Sequence, residues 1–344
     1  MDSPIFEKKN VLVTGGAGFI GSHLCEKLLR EANVICVDDF SNSSPENINH
    51  LLQYPDFEFI NLDVNQPIDL TQFAELDKFK IKFQGIQEIY HLACPTSPAD
   101  FEKLKMKSLL ANSSGMLSTL DLAVKYRAKY VFTSSAVIYG SATPEKFVFK
   151  EEDQGIVNHL SPRACYDEGK RFAETCVATY NQVYGLDAKI ARVFTSYGPY
   201  MKLFEGQPVI DFIVNALEGK DVVVPGGDKD LTTLCYVSDM VDGLIGLMAT
   251  DATVKVVNLG GDTVIKTMDV AKKIVAMTES ASAIVAGAEL SFVTHPGVPD
   301  LFYTKNMLGW FPLVTLEQGL TKTIEYAVAN KQSLLYTHFD KLGM

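Results

Sequence analysis

Val11-Leu12-Val13-Thr14-Gly15-Gly16-Ala17-Gly18-Phe19-Ile20-Gly21-Ser22-His23-Leu24 reads as a buried strand, a glycine-rich turn and the first turn of a helix. Each glycine has a task. Gly15 allows the tight turn, Gly18 lets backbone approach a phosphate, and Gly21 lets helix and strand pack closely. The helix start supplies free N–H groups and a positive dipole end, so a pyrophosphate would sit there. A second strand, Val34-Ile35-Cys36-Val37, follows and ends in Asp38 and Asp39, at about the 20-residue interval that dinucleotide binding requires. Asp38 would accept hydrogen bonds from the adenosine ribose and repel a 2′-phosphate, which favours NAD over NADP. Asp39 is either a second ribose contact or a solvated neighbour.

The second informative stretch is Ser161-Pro162-Arg163-Ala164-Cys165-Tyr166-Asp167-Glu168-Gly169-Lys170-Arg171. Tyr166 and Lys170 are four apart at the start of a helical pattern and share one face. An ammonium beside a phenol favours the phenolate, bringing a poor base into range for taking a proton from a sugar hydroxyl. Taken alone, such a pair is an ordinary i,i+4 surface contact; the glycine motif changes its meaning.

With 344 residues, of which 47% are hydrophobic, the chain can bury a large core, as one large or two modest domains. A formal charge of −11 argues against non-specific nucleic-acid binding and leaves room for a local anion site. The N-terminal residues lack a cationic segment followed by an apolar one, and no apolar stretch is long enough to span a bilayer, so the reading is cytoplasmic with no membrane partner. The six cysteines show no C-x-x-C spacing, so neither a zinc site nor a disulfide framework is expected, and no metal.

Strands at 11–14, 33–38, 57–60, 87–92, 129–134 and 187–193 alternate with helices at 19–31, 103–127 and 165–184. This predicts an α/β, Rossmann-type doubly wound parallel sheet, with an NAD-binding domain over 1–195. Beyond it glycine and proline punctuation increases, with helices near 208–218, 238–250, 267–279 and 315–330. Residues 196–344 read as a smaller α/β substrate lobe, interleaved with the first domain and closing over the carboxyl ends of the strands.

Strand 129–134 runs into Ser134 and Ser135, leaving hydroxyls where nicotinamide and sugar would meet. Ser135 is the candidate bridge between Tyr166 and a substrate hydroxyl; the alternative is a hydroxyl satisfying local backbone. Catalysis is therefore assigned to Tyr166, Lys170 and Ser135. The cofactor set is Gly15, Gly18, Phe19, Ile20, Gly21, Asp38, Asp39, Asn42, Asp63, Val64, Leu92, Ala93, Asn112 and Ser134, together with Tyr166 and Lys170. The substrate set is Pro95, Ser134, Arg192 and Thr195, with Arg192 the anion contact or else a structural arginine beneath the sheet edge. His91 reads as a packed strand-end imidazole, because no carboxylate or nucleophile is spaced to partner it.

On these motifs the chain resembles the extended short-chain dehydrogenase/reductases that modify nucleotide sugars, and within them it looks most like the UDP-glucuronate decarboxylases. Further similarities are His91-Leu92-Ala93, Pro95, Ser97-Pro98, Arg192-x-Phe194, Tyr197-Gly198-Pro199, Tyr236-Val237-Ser238-Asp239, Val257-Asn258-Leu259-Gly260 and Met307-Leu308-Gly309-Trp310. The resemblance implies tightly held NAD, transient oxidation of a nucleotide sugar at C4, and a homodimer. Apolar stripes including Leu109, Met116, Leu120, Ala173, Val177 and Tyr180 would form a four-helix contact between subunits, unless they face the sheet.

The chain departs from the decarboxylase pattern. Val137 stands where the decarboxylases and 4,6-dehydratases carry an acid, and Thr232 where the decarboxylases carry an arginine. Tyr200, Gln207 and Gly297 replace other arginines, with Lys202, Lys220, Lys229 or His295 as candidate compensation. An isopropyl group can neither give nor take a proton, and neither Thr nor Gln reproduces a guanidinium fork. Thr133 to Gly140 and Arg192-Val193-Phe194-Thr195 are similar instead to sugar-nucleotide 4-epimerases, in which a serine and the Tyr/Lys pair suffice. The expectation is a 4-epimerase or related oxidoreductase. The alternatives are a decarboxylase with a compensated site and a non-catalytic NAD-binding homologue.

Overall fold

The computed structural model describes residues 8–96, 101–203, 207–288, 294 and 297–339. Ser97, Pro98 and His295, singled out above, lie outside the described residues. In chain order the first half comprises β1 (Lys9–Thr14), α1 (Phe19–Leu28), β2 (Ala32–Asp38), β3 (Phe57–Asn61), α2 (Ile81–Gln84), β4 (Glu88–His91), α3 (Phe101–Ala111), α4 (Ser114–Tyr126), β5 (Lys129–Ser135), β6 (Val148–Phe149), α5 (Ala164–Tyr184) and β7 (Ala188–Val193). The second half adds β8 (Ser196–Tyr197), α6 (Pro208–Leu217), β9 (Val222–Pro225), β10 (Leu231–Thr233), β11 (Cys235–Tyr236), α7 (Val237–Ala249), β12 (Val256–Leu259), β13 (Val264–Lys266), α8 (Thr267–Met277), β14 (Ile284–Gly287), β15 (Val298–Pro299), α9 (Phe302–Leu308) and α10 (Leu316–Phe339).

Seven strands form one sheet in the order β12-β7-β5-β4-β1-β2-β3, and every pairing in it is parallel. Strands buried on both faces read as continuous apolar runs, and the two-residue side-chain period divides them between two cores. Val11, Val13, Val34, Cys36, Tyr90, Val131 and Ala191 pack with Leu24 of α1 and Met240 and Leu244 of α7. Their neighbours Leu12, Ile35, Ile89, Tyr130, Phe132 and Ile190 pack with Met116 and Leu120 of α4 and Ala173 and Val177 of α5. The chain past residue 195 thus returns to the sheet, with α7 on one face and β12 as the edge strand beside β7. The remaining lobe has its own core, built largely from α6, α8, β9 and α10.

Two expectations change. The single helix over 103–127 is two helices, broken at Ser113 with φ −122 and ψ −87. The Ser113 hydroxyl donates to the Leu109 carbonyl at 2.8 Å and that of Ser114 to Leu110 at 3.2 Å. Such local side-chain bonds compete with helix continuation. The proposed contact stripe also turns inward, with Met116, Leu120, Ala173 and Val177 buried in the second core. Leu109 is exposed, and Tyr180 is half-buried with its hydroxyl donating to Asp121 at 2.7 Å. No helix among the described residues is long and apolar enough to cross a membrane.

Candidate active site

A cavity of roughly 950 Å³ opens beyond the carboxyl ends of β1, β2, β3, β4, β5 and β7 and is closed from the other side by the lobe. One end is the glycine turn. Gly15 has φ +71, and a Cβ there would lie 2.7 Å from the Ala93 nitrogen; one on Gly21 would lie 2.1 Å from the Gly15 carbonyl. Neither position accepts a side chain. Gly18 caps α1 without a side-chain hydrogen bond, so the first-turn N–H groups remain beside Phe19 and Ile20, which line the cavity. The small-residue cradle and the helix N-terminus fit a pyrophosphate.

Asp38 lines the cavity at the end of β2. Its Oδ1 accepts from the Phe40 nitrogen at 2.9 Å and the Ser43 hydroxyl at 2.6 Å, and its Oδ2 from the Ala17 nitrogen at 3.1 Å. It therefore ties the glycine turn to the β2 exit as well as facing a ligand. Burial raises its carboxyl above the usual range, while the bonds from Ser43, Phe40 and Ala17 pull it back. Asp39 also lines the cavity, where its Oδ2 accepts from Lys107 at 2.9 Å. Its site is partly desolvated, yet hydrogen bonds from Ser41 and Lys107 hold its carboxyl below the ordinary value. Asn42, Asp63, Val64, Leu92 and Ala93 line the cavity with them, and Pro95, assigned above to the substrate, lines it too. This is an adenosine-and-pyrophosphate lining that fits NAD.

At the other end Tyr166 and Lys170 lie on α5, facing the exit of β5. Lys170 is buried, its Nζ 2.8 Å from the Thr133 carbonyl and 5.8 Å from the Tyr166 ring centroid. Burial lowers its ammonium from the ordinary lysine value. Burial and the neighbouring Cys94 sulfur push the Tyr166 phenol up, against Arg163 and a hydrogen bond with Ser135. Ser135 also accepts from the Val137 nitrogen at 3.4 Å, so the bridging and local-backbone roles coexist. Val137 is packed directly on Tyr166, with Cys94 and Cys165 around them. A phenol, an ammonium and a hydroxyl thus meet where a carbinol could be held, with an apolar wall behind.

Two assignments from sequence are corrected, those of Arg192 and Asn112. Arg192 does not line the cavity. Its guanidinium donates from Nε to Glu174 Oε1 at 3.1 Å and from Nη2 to Glu174 Oε2 at 2.8 Å. Its Nη1 donates to the Tyr139 hydroxyl at 2.8 Å and the Glu151 carbonyl at 2.7 Å. It is the structural arginine beneath the sheet edge, because a buried guanidinium spends its donors on fixed acceptors. Asn112 lies behind the wall, its amide donating to the Ser108 carbonyl at 2.8 Å and the Cys94 sulfur at 3.2 Å. Ser134 and Ser135 both line the cavity, and the Ser134 hydroxyl donates to Glu174 at 2.6 Å. Thr195 lines the cavity, and its carbonyl accepts from the Cys235 nitrogen at 3.0 Å. His91 is a packed imidazole, with Nδ1 2.7 Å from the Thr14 hydroxyl.

Val137, Thr232, Gln207 and Gly297 all line the cavity. Tyr200 does not; its ring lies against His23, His50 and Tyr326. Lys229 lines the cavity, Lys202 reaches Asn42 at 3.4 Å, and Lys220 pairs with Glu218 at 2.7 Å. Lining residues that sequence reasoning passed over include Lys107, Arg163, Asp230 and Thr294. Arg163 had a signal, three residues before Tyr166 in the quoted motif. The others are brought in by folding alone.

The model of the NAD dependent epimerase/dehydratase family matches residues 11–260. UDP-glucuronic acid decarboxylase 1 of Xenopus tropicalis is 37% identical over 321 residues, covering 93% of this chain and 72% of that protein. UDP-glucuronic acid decarboxylase 6 of Arabidopsis thaliana is 36% identical over 336 residues, covering 93% of this chain and 91% of that protein. Among solved structures, UDP-glucose 4-epimerase of Thermotoga maritima with UDP-glucose superposes with a TM-score of 0.81 at 27% identity, over 93% of this chain and 99% of that one. The glycine cradle, the Asp38 acceptor and the Tyr166/Lys170 pair agree with these likenesses: the chain belongs to the NAD-dependent epimerase/dehydratase family, and is an NAD-dependent enzyme of the extended short-chain dehydrogenase/reductase type.

Proposed function

We propose that the enzyme oxidises a nucleotide sugar transiently at C4 and returns it as the 4-epimer. The observation that carries this reading is Val137, buried on Tyr166 at the reacting end of the cavity. Among the described residues, the carboxylates lining the cavity are Asp38, Asp39 and Asp63 at the ends of β2 and β3, and Asp230, which accepts from the Thr267 hydroxyl at 2.6 Å. None of these stands at the exit of β5. Epimerisation requires no carboxylate there. Tyr166 takes the C4 hydroxyl proton through or beside Ser135, and Lys170 favours the phenolate. NAD, when bound against the glycine turn, supplies the redox chemistry at that carbon. The sugar must then turn over before Tyr166 returns the proton, and the breadth of the cavity leaves room for this.

Identity of 36–37% to UDP-glucuronic acid decarboxylases favours a second reading. A 4-keto uronate is a β-keto acid, which can lose carbon dioxide without a dedicated carboxylate. The test is UDP-glucuronate incubated with enzyme and NAD, followed by mass spectrometry with isomer-resolving chromatography. An isomer of unchanged mass is expected. Loss of carbon dioxide would transfer the assignment to decarboxylation, and no conversion with any sugar nucleotide would sink both. Tyr166→Phe should lower turnover by about 10²–10⁴-fold while leaving NAD bound.

We also propose a homodimer. Met106, Leu109 and Leu110 of α3, Leu117 of α4 and Phe172 of α5 are exposed on three helices that pack against one another, a combined apolar face of the kind that marks an interface.

A further inference from the structure

We propose that Arg163 is a positioning residue that seats the Tyr166 ring and favours its phenolate, with Asp167 set against it as a counterweight. The inference rests on Tyr166 being the base. Among the described residues Arg163 is the one arginine lining the cavity. It is 7% exposed, and its guanidinium carbon lies 5.0 Å from the Tyr166 ring centroid. Its Nε is 3.5 Å from Oδ1 of Asp167, one turn along α5. Asp167 is 3% exposed, and its other oxygen accepts from the Thr294 hydroxyl at 2.6 Å. A cation at a helix N-terminus opposes the helix dipole, and burying a guanidinium is costly. The helix dipole at the start of α5 therefore gives no reason for a cation at Arg163. Its placement over the phenol ring gives one.

Lys170 brings one positive charge near the phenol, with its Nζ 5.8 Å from the ring centroid, and Arg163 adds a second over the ring face. From the end of β5 comes Ser135, from the turn after it the apolar Val137, from the β4 exit the Cys94 thiol, and from α5 the Cys165 thiol. Lys105 of α3 acts on Cys165. Lys170 directs its ammonium to the Thr133 carbonyl. Of the influences on the phenol, Arg163 leads those that favour the anion, ahead of Ser135, and Asp167 opposes it. Two substitutions should therefore move the phenol in opposite directions, which a purely structural pair would not do.

The experiment is ¹³C NMR of ζ-labelled tyrosine in the NAD-loaded protein, titrated across roughly pH 6 to 11, a range spanning the ordinary phenol value. The Tyr166 signal is identified by its loss in Tyr166→Phe. Arg163→Met should raise the titration midpoint by about one pH unit or more, and Asp167→Asn should lower it. Arg163→Lys, which keeps the charge, should fall between wild type and Arg163→Met. Midpoints that stay put, that move the same way in Arg163→Met and Asp167→Asn, or a wild-type phenol neutral throughout would each overturn the proposal. Because no substrate is present, failure of the epimerase reading leaves this result unaffected.

Discussion

His91, at the end of β4, is wholly buried with its Nδ1 on the Thr14 hydroxyl at 2.7 Å. Burial, and then the Lys170 charge, lower its pKa from 6.5 to about 3, so the fold holds it neutral. The unfolded chain binds the proton first as pH falls. The stability due to neutral His91 is therefore complete above about pH 6.5 and is lost as pH falls toward about 3. In urea unfolding between about pH 7 and pH 4.5, His91→Gln should remove a slope of up to about 1.4 kcal/mol per pH unit relative to wild type. Parallel curves for the two proteins would show that His91 does not titrate on unfolding. At this scale the sequence was informative where spacing carries the chemistry: Gly15, Asp38, Tyr166 and Lys170 all line one cavity. It misplaced Arg192 and Asn112, because a residue one step along a strand or one turn along a helix can face a wall or a core, and one-dimensional spacing does not say which.

Among the elements, α5 carries the most. Its cavity-facing side bears Tyr166 and Lys170, and Glu174 joins it to β7 through the two hydrogen bonds of Arg192. Arg192 passes the connection to the Tyr139 hydroxyl, which donates to Asn258 of β12 at 2.8 Å. This network holds the helix in register with the sheet edge. Arg192→Met leaves the half-buried Glu174 without its cation and should cost about 3 kcal/mol of unfolding free energy, read by urea denaturation. The KM for the nucleotide sugar should stay near wild type. A large rise in KM with stability intact would restore Arg192 as a substrate contact. The length of α5 was readable from its pattern, and Gly185 closes it with φ 65. The break between α3 and α4 was not, since Asn112-Ser113-Ser114 tolerates a helix until tertiary packing decides the matter.

For the whole molecule, the exposed apolar residues on α3, α4 and α5 predict association. Sedimentation should give twice the 37.9 kDa chain mass, and Leu110→Glu combined with Phe172→Glu should reduce it to a single chain mass. A wild-type protein already at single chain mass at micromolar concentration would refute the dimer. The face differs from the stripe that periodicity suggested, for Met116, Leu120, Ala173 and Val177 are consumed by the sheet. An amphipathic helix shows that it has an apolar side, and a helix covered on two sides has two; only the fold says which of them meets solvent.

The sequence by itself determined the α/β class, the glycine turn, the acidic end of β2 and the Tyr166/Lys170 pair, because each depends on residues within a few turns of one another, where local geometry leaves little freedom. The tertiary structure alone decided that β12 returns to the sheet beside β7, that Arg192 serves the core, and that Arg163 and Lys107 line the cavity. Those outcomes depend on contacts between distant segments. Burial then fixes which polar groups are held by the protein and which are left for a substrate.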